Sequence, residues 1–326
     1  MSRAALDWRA GEVVQAKLPN GKTISLCYRP DPKNYAAMHT SFGGGRSATL
    51  RAAVSPDTWM DLAACEPPLK DQVETSACTG HAEAYAQEIA HASTGMPLPF
   101  HVSPMLAYLF GRAIDRVFVN GAPTSSLTDT GAMPNQVSRA CEEYGLLPTQ
   151  APDGVSSDAA LFAQEGRINE EPRLSDLETA ERVVPGKSYV IADCSSGRSL
   201  ALVEADVKAA LSAASWEGIR IKGLPVTFGV WVDTAFMQWD PNGPAQGPCN
   251  TNDPNGGGHA IHFCGYRKNT QTGETEYLVR NSWGDWGAVV DTPNGPVDSC
   301  IWVTRDFLAT CIDLRVIVPD SRDLSI

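Results

Sequence analysis

Nowhere do eighteen apolar residues run together, so a membrane-crossing helix is not expected. Met1 to Val14 lacks the apolar core of a cleavable signal peptide, because Arg3, Asp7, Arg9 and Glu12 break up its short apolar pieces. The expectation is a chain that stays in the cytoplasm or is exported without a cleaved signal. No run of Lys or Arg stands out, and the net charge is −12, so neither nucleic acid nor an anionic membrane is an expected partner. Internal repeats and low-complexity tracts are absent. The 9 cysteines have neither the even count nor the regular spacing of a secreted disulfide framework. Reduced thiols are expected, with one or two bridges left open.

What is present is an ordinary globular composition over 326 residues, enough for one large domain or two lobes sharing a cleft. Val14–Leu18, a turn at Pro19-Asn20-Gly21-Lys22, and Thr23–Tyr28 predict a hairpin. Residues 30–50 carry Pro30, Pro32 and Gly43-Gly44-Gly45 and predict an extended linker. Residues 1–50 thus form an N-terminal extension to a domain over 51–326, either a pro-region or a flap over a cleft, or decoration. Helical patterns occupy roughly 70–150: one from Cys78, one from Ser103 to Phe118, one from Pro134 to Tyr144 closed by Gly145. Residues 150–187 are polar and predict a surface insertion. From 188 to 320 strands dominate, with a helix at Ala205–Ala214 and period-two patterns at Val226–Val232, His259–Phe263 and Tyr277–Arg280. The architecture is α+β, a helical lobe and an antiparallel β lobe with a crevice between them.

Cys78 opens a helix whose apolar stripe is Ala82, Tyr85, Ala86, Ile89 and Ala90, with Glu83, Gln87 and Glu88 opposite. Unpaired N–H groups and the helix dipole at such a position stabilise a thiolate. Gln72, six residues upstream, is placed to turn its side-chain N–H toward whatever the sulfur attacks. A buried inert thiol is the bland alternative, and it weakens only if a base and an orienter follow.

Both follow. His259 starts a strand after Gly256-Gly257-Gly258, and Asn281-Ser282-Trp283-Gly284 comes after the next strand. Asn281 can accept from the His259 ring and fix its tautomer, and Trp283 can keep water from that bond. Alternation puts His262 on the other face from His259, which splits Cys249, His259, His262 and Cys264 as metal ligands. No metal and no cofactor is expected.

The ordered set Gln72…Cys78, Gly258-His259-Ala260 and Asn281-Ser282-Trp283-Gly284 resembles the papain-like cysteine peptidases, in the wording of their bacterial and archaeal branch. Gly131-Ala132-Met133-Pro134 with Cys141–Gly145 is similar to that family's glycine shelf and following helix, and the likeness spans about residues 54–310. It implies Cys78 as nucleophile, His259 as general base and acid, Asn281 as orienter, and Gln72 with the Cys78 N–H as oxyanion hole. It also implies a resting thiolate–imidazolium pair, backbone contacts from Gly131 and Ala132 to an extended polypeptide substrate, and Gly258 and Trp283 as further substrate-binding residues. A monomer is expected.

Departures from the pattern are Val73 where the family has Gly, Thr79 where it has Trp, Gly80-His81 after that, and Thr75 in place of a half-cystine. They bear on subsites rather than on the chemistry. Two alternatives stand beside hydrolysis: acyl transfer or isopeptide cleavage on the same scaffold, and an inactive binding module plugged by residues 1–50. A segment from about Arg29 to Arg51 is expected to cross the cleft.

Overall fold

The computed structural model describes residues 12–29, 59–116, 118–119, 122–123, 126–178, 185–192, 198–216 and 218–319. The expected linker and cleft-crossing segment lie almost wholly outside the described residues.

Seven antiparallel strands form one sheet, in the order Ala288–Thr292, Gly295–Thr304, Thr275–Arg280, Gly257–Lys268, Val226–Val232, Cys311–Val318 and Lys187–Ala192; Met60–Asp61 also pairs with Gly257–Lys268. Val226–Val232 is buried at every residue, with Val226, Phe228, Val230 and Val232 on one face and Thr227, Gly229 and Trp231 on the other. Phe228 stacks on Phe263, and Phe236 lies between Phe307 and Trp286, giving the β lobe its core. A second core joins Leu106, Leu109, Val137 and Phe162 among the helices Pro104–Ala113, Pro134–Tyr144 and Ala159–Gln164. The fold is α+β with two lobes, as the sequence pattern indicates.

The helix Cys78–Ser93 lies between these cores, and every residue but Ala92 is buried. Its Glu, Gln and Glu face, expected opposite the apolar stripe, is enclosed by polar partners. Glu83 accepts from Gln87 and Ser138, while Glu88 pairs with Lys70 and His101 and accepts from the Val102 N–H. Carboxylates survive such burial because each of their oxygens is satisfied.

Three further expectations are amended. The described residues of the expected surface insertion at 150–187 are not all at the surface, since Ala159 and Phe162 enter the helical core and buried Arg167 stacks over Phe162 while pairing with Asp176. The helix beginning at Pro104 ends at Ala113 rather than Phe118. The helix expected at Ala205–Ala214 starts a turn and a half earlier and spans Leu200–Leu211.

The N-terminal hairpin pairs Val14–Lys17 with Thr23–Leu26, turning through Gly21 at φ 84°. Its Ala16, Leu18, Ile24 and Leu26 join the β-lobe core, so the hairpin is packed onto the domain rather than hung from it.

Candidate active site

Two short stretches set the geometry. The strand Gly257–Lys268 carries His259 near its start, and Asn281 immediately follows the neighbouring strand Thr275–Arg280. The His259 Nε2 and Asn281 Oδ1 are 2.7 Å apart, and the Trp283 ring stacks on the imidazole with centroids 4.5 Å apart. Trp283 is fully buried, so water is kept from that hydrogen bond. His259 Nδ1, the other ring nitrogen, is buried without a partner.

Cys78 begins its helix beside the same strand, and the Ala260 backbone N–H points at its sulfur. The sulfur also lies 4.0 Å from Thr79 Oγ1. Among the described residues the imidazole has no hydrogen bond to Cys78.

The charge state differs from the expected ion pair. Burial pushes the Cys78 thiol up from 9.0 to about 11, against the lowering effect of the Ala260 N–H. Burial pulls His259 down from 6.5 to about 4, against its bond to Asn281. A thiol and a neutral imidazole are therefore the forms favoured here. The cause is that no solvent reaches either group.

The hairpin's second strand and the two residues after it pack against the groups around Cys78. The Ser25 carbonyl takes a hydrogen bond from Gln72 Nε2 at 3.4 Å, and the same amide donates to Thr75 O at 3.0 Å. Gln72 is further fixed by Ser282 Oγ, which donates to its Oε1 at 2.8 Å. A Cβ on Gly131 would fall 2.1 Å from the Cys27 carbonyl oxygen, and one on Gly258 would fall 2.8 Å from Tyr28 Cβ. Both glycines expected to touch substrate are thus pressed against this segment, one from each side. Tyr28 itself packs in a cluster with Cys78, Ala82 and Ala260.

The segment is tied at both ends. Lys22 Nζ pairs with Asp71 and donates to the Trp283 carbonyl at 3.0 Å, and Tyr28 Oη donates to Asp313 Oδ2 at 2.6 Å.

Two departures noted in the sequence have local causes. Val73 adopts φ 46°, the left-handed region where glycine is favoured, and the Asp71 carboxylate holds its N–H at 2.8 Å. Thr79 donates to the Ala132 carbonyl at 3.0 Å, while the Gly131 N–H donates to Tyr108 Oη. Both shelf residues therefore have an internal bond in addition to any made with a ligand.

His262 points away from His259, as alternation requires, and meets Glu66, which also holds Arg280. Among the described residues no group of three or more His, Cys, Asp or Glu side chains is arranged to hold a metal ion. Eight cysteines are described, all of them free thiols. No described helix is long and apolar enough to cross a membrane.

Sequence reasoning missed Tyr28, Asp313 and the Lys22–Asp71 pair. Their partners lie 49 to 285 residues away along the chain, and no local pattern marks them.

No family model matches the chain, and no curated protein matches it. Solved structures do. Xylellain, a cysteine protease from Xylella fastidiosa, aligns at TM-score 0.60 with 20% identity over 90% of this chain and 96% of its own. A procathepsin L2 proteinase from Tenebrio molitor larval midgut aligns at 0.53 with 15% identity over 88% and 76%. A recombinant stem bromelain precursor aligns at 0.51 with 16% identity over 87% and 75%. The chain has the papain-like cysteine protease fold.

Proposed function

We propose that the chain is a cysteine peptidase that hydrolyses polypeptides, and that residues 25–28 hold it in a latent state. The single observation that carries this reading is the His259–Asn281 bond of 2.7 Å beneath Trp283, with the unpartnered Nδ1 on a strand whose next residue contacts the Cys78 sulfur.

The steps follow from the groups present. Once the cleft opens, water lowers the cost of charge separation, and the Cys78 proton passes to His259 Nδ1. The thiolate attacks a substrate carbonyl. The resulting oxyanion is met by the Gln72 amide, released from the Ser25 carbonyl, and by the Cys78 N–H. Collapse forms a thioester on Cys78 and expels an amine that takes the proton from His259. Water, deprotonated by His259, then hydrolyses the thioester and restores the thiol. Asn281 keeps the ring in one orientation through both halves.

Latency rests on the segment's contacts with Gln72, Gly131 and Gly258, the groups that would otherwise meet a substrate backbone. The test is irreversible labelling with an epoxide probe, located by peptide mass mapping. Cys78 should label slowly in the intact chain and rapidly in a Tyr28→Ala chain, with no label in Cys78→Ala. Label on another cysteine, with Cys78 untouched in both chains, would remove the proposal.

A further inference from the structure

Tyr108 stands where the helix Pro104–Ala113 meets the helix that begins at Cys78. A Cβ on Gly80 would lie 2.3 Å from the Pro104 carbonyl oxygen and 2.8 Å from Tyr108 Cβ, so this close approach depends on the glycine. The Tyr108 ring is fully buried, with the Arg112 guanidinium over its face, and Arg112 also donates to the Thr128 carbonyl. At its tip the phenol donates to Asp129 Oδ1 at 2.8 Å and accepts from the Gly131 N–H at 3.0 Å. Burial, with the Asp129 charge, pushes the phenol well above its ordinary 10.0, so it keeps its proton and both bonds keep their direction.

Asp129 holds a second element. Its carboxylate oxygens also accept from the Ser76 N–H at 3.1 and 3.0 Å, and its carbonyl accepts from Ser76 Oγ at 3.1 Å. Ser76 lies two residues before Cys78. One carboxylate therefore ties the start of the Cys78 helix to the loop that carries Gly131 and Ala132. Its charge raises the Cys78 thiol, which works against a nucleophile, so those bonds are what account for its place here.

The shelf is thus held from behind. Tyr108 takes the Gly131 N–H, and Thr79 donates to the Ala132 carbonyl at 3.0 Å. Among the described residues the peptide group between them, the Gly131 carbonyl with the Ala132 N–H, makes no backbone hydrogen bond. Gly131 adopts φ 79°, and its open face is the one that the Cys27 carbonyl presses.

We propose that Tyr108, oriented by Asp129, is a positioning residue that holds the Gly131–Ala132 peptide group in register with Cys78 for a substrate backbone. This rests on the peptidase reading. Tyr108 acts through Gly131 rather than on the reacting atoms. Binding of a peptide long enough to reach the shelf depends on it, and the chemistry at the sulfur does not.

The test uses the full chain carrying Tyr28→Ala, with and without Tyr108→Phe, which keeps the ring and removes only the hydroxyl. For a peptide extending about four residues before the cut bond, KM should rise about tenfold with kcat within about twofold, the scale of one bond lost from a charge-assisted chain. For p-nitrophenyl acetate, whose acyl group is too short to reach the shelf, kcat/KM should change by less than about twofold. An unchanged peptide KM, or an equal loss on both substrates, overturns the proposal while leaving the peptidase reading intact. Should Tyr108→Phe fail to melt cooperatively, Asp129→Asn takes its place and is read against the same outcomes. If no peptide is cleaved, the peptidase reading fails, and the shelf is then judged by calorimetric binding of a blocked tetrapeptide amide to Tyr28→Ala. Binding weakened by Tyr108→Phe supports the positioning role; binding that is absent or unchanged overturns it.

Discussion

Replacing Tyr28 by alanine should turn the buried thiol into a reactive one. The ring is almost fully buried, bonded to Asp313 and packed in the cluster that contains Cys78. Removing a buried aromatic side chain costs about 3–5 kcal/mol, and here that loss falls on the docking of residues 25–28 rather than on either lobe's core. With Cys78 at about 11, roughly one thiol in ten thousand is ionised at pH 7. Return to the ordinary 9.0 raises that to about one in a hundred, a gain of about 100-fold worth ~2.7 kcal/mol. An ion pair with His259 would raise it further. Iodoacetamide labelling of Cys78, followed by mass spectrometry at pH 7, reads this directly. Circular dichroism and a cooperative melt establish that the variant is folded. A folded Tyr28→Ala chain labelling at the rate of the unaltered one would refute the argument that this segment controls the sulfur.

Other consequences are open to test. His81, His91 and His259 are each buried and drawn from 6.5 to about 4 by desolvation, so the unfolded chain takes up protons that the folded one refuses. Stability should therefore be lost as pH falls from about 6.5 to about 4, by about 3 kcal/mol per histidine. Glu66 and Glu88, held below their ordinary value, act in the same direction, while Glu83 and Asp158, raised by burial, oppose it. A melting temperature that stays level from pH 7 to 4.5 would contradict this. Lys70→Met leaves the buried Glu88 with only His101 and the Val102 N–H as partners and should cost about 3 kcal/mol in urea unfolding; a loss under about 1 kcal/mol would show that the pair contributes little. Asn281→Ala frees the His259 ring and should lower kcat of a Tyr28→Ala chain about 10–100-fold with KM little changed. An equal change in KM would point to a role in binding instead.

The candidate triad was legible because each member sits in a short stretch whose wording is local. Cys78 is at a helix start, His259 follows a glycine run, and Asn281 stands beside a Trp-Gly pair. The two lobes were legible from the switch in period near residue 224. The covering segment was not. The expected segment from about Arg29 to Arg51 lies almost wholly outside the described residues, and the contacts that are described come from Ser25, Cys27 and Tyr28, at the end of an ordinary-looking hairpin. What fixes them is complementarity to Gly131, Gly229, Gly258 and Asp313, each distant in sequence. Residues 150–187 misled for the opposite reason. Their polar composition hid Ala159 and Phe162, and Arg167 enters the interior by pairing with Asp176 and stacking on Phe162.

Cleavage of an unfolded polypeptide by the Tyr28→Ala chain, set beside the same chain also carrying Cys78→Ala, tests the central claim most directly. Hydrolysis by the first and background by the second is the predicted result. Equal hydrolysis by both would show that the chemistry does not pass through this sulfur.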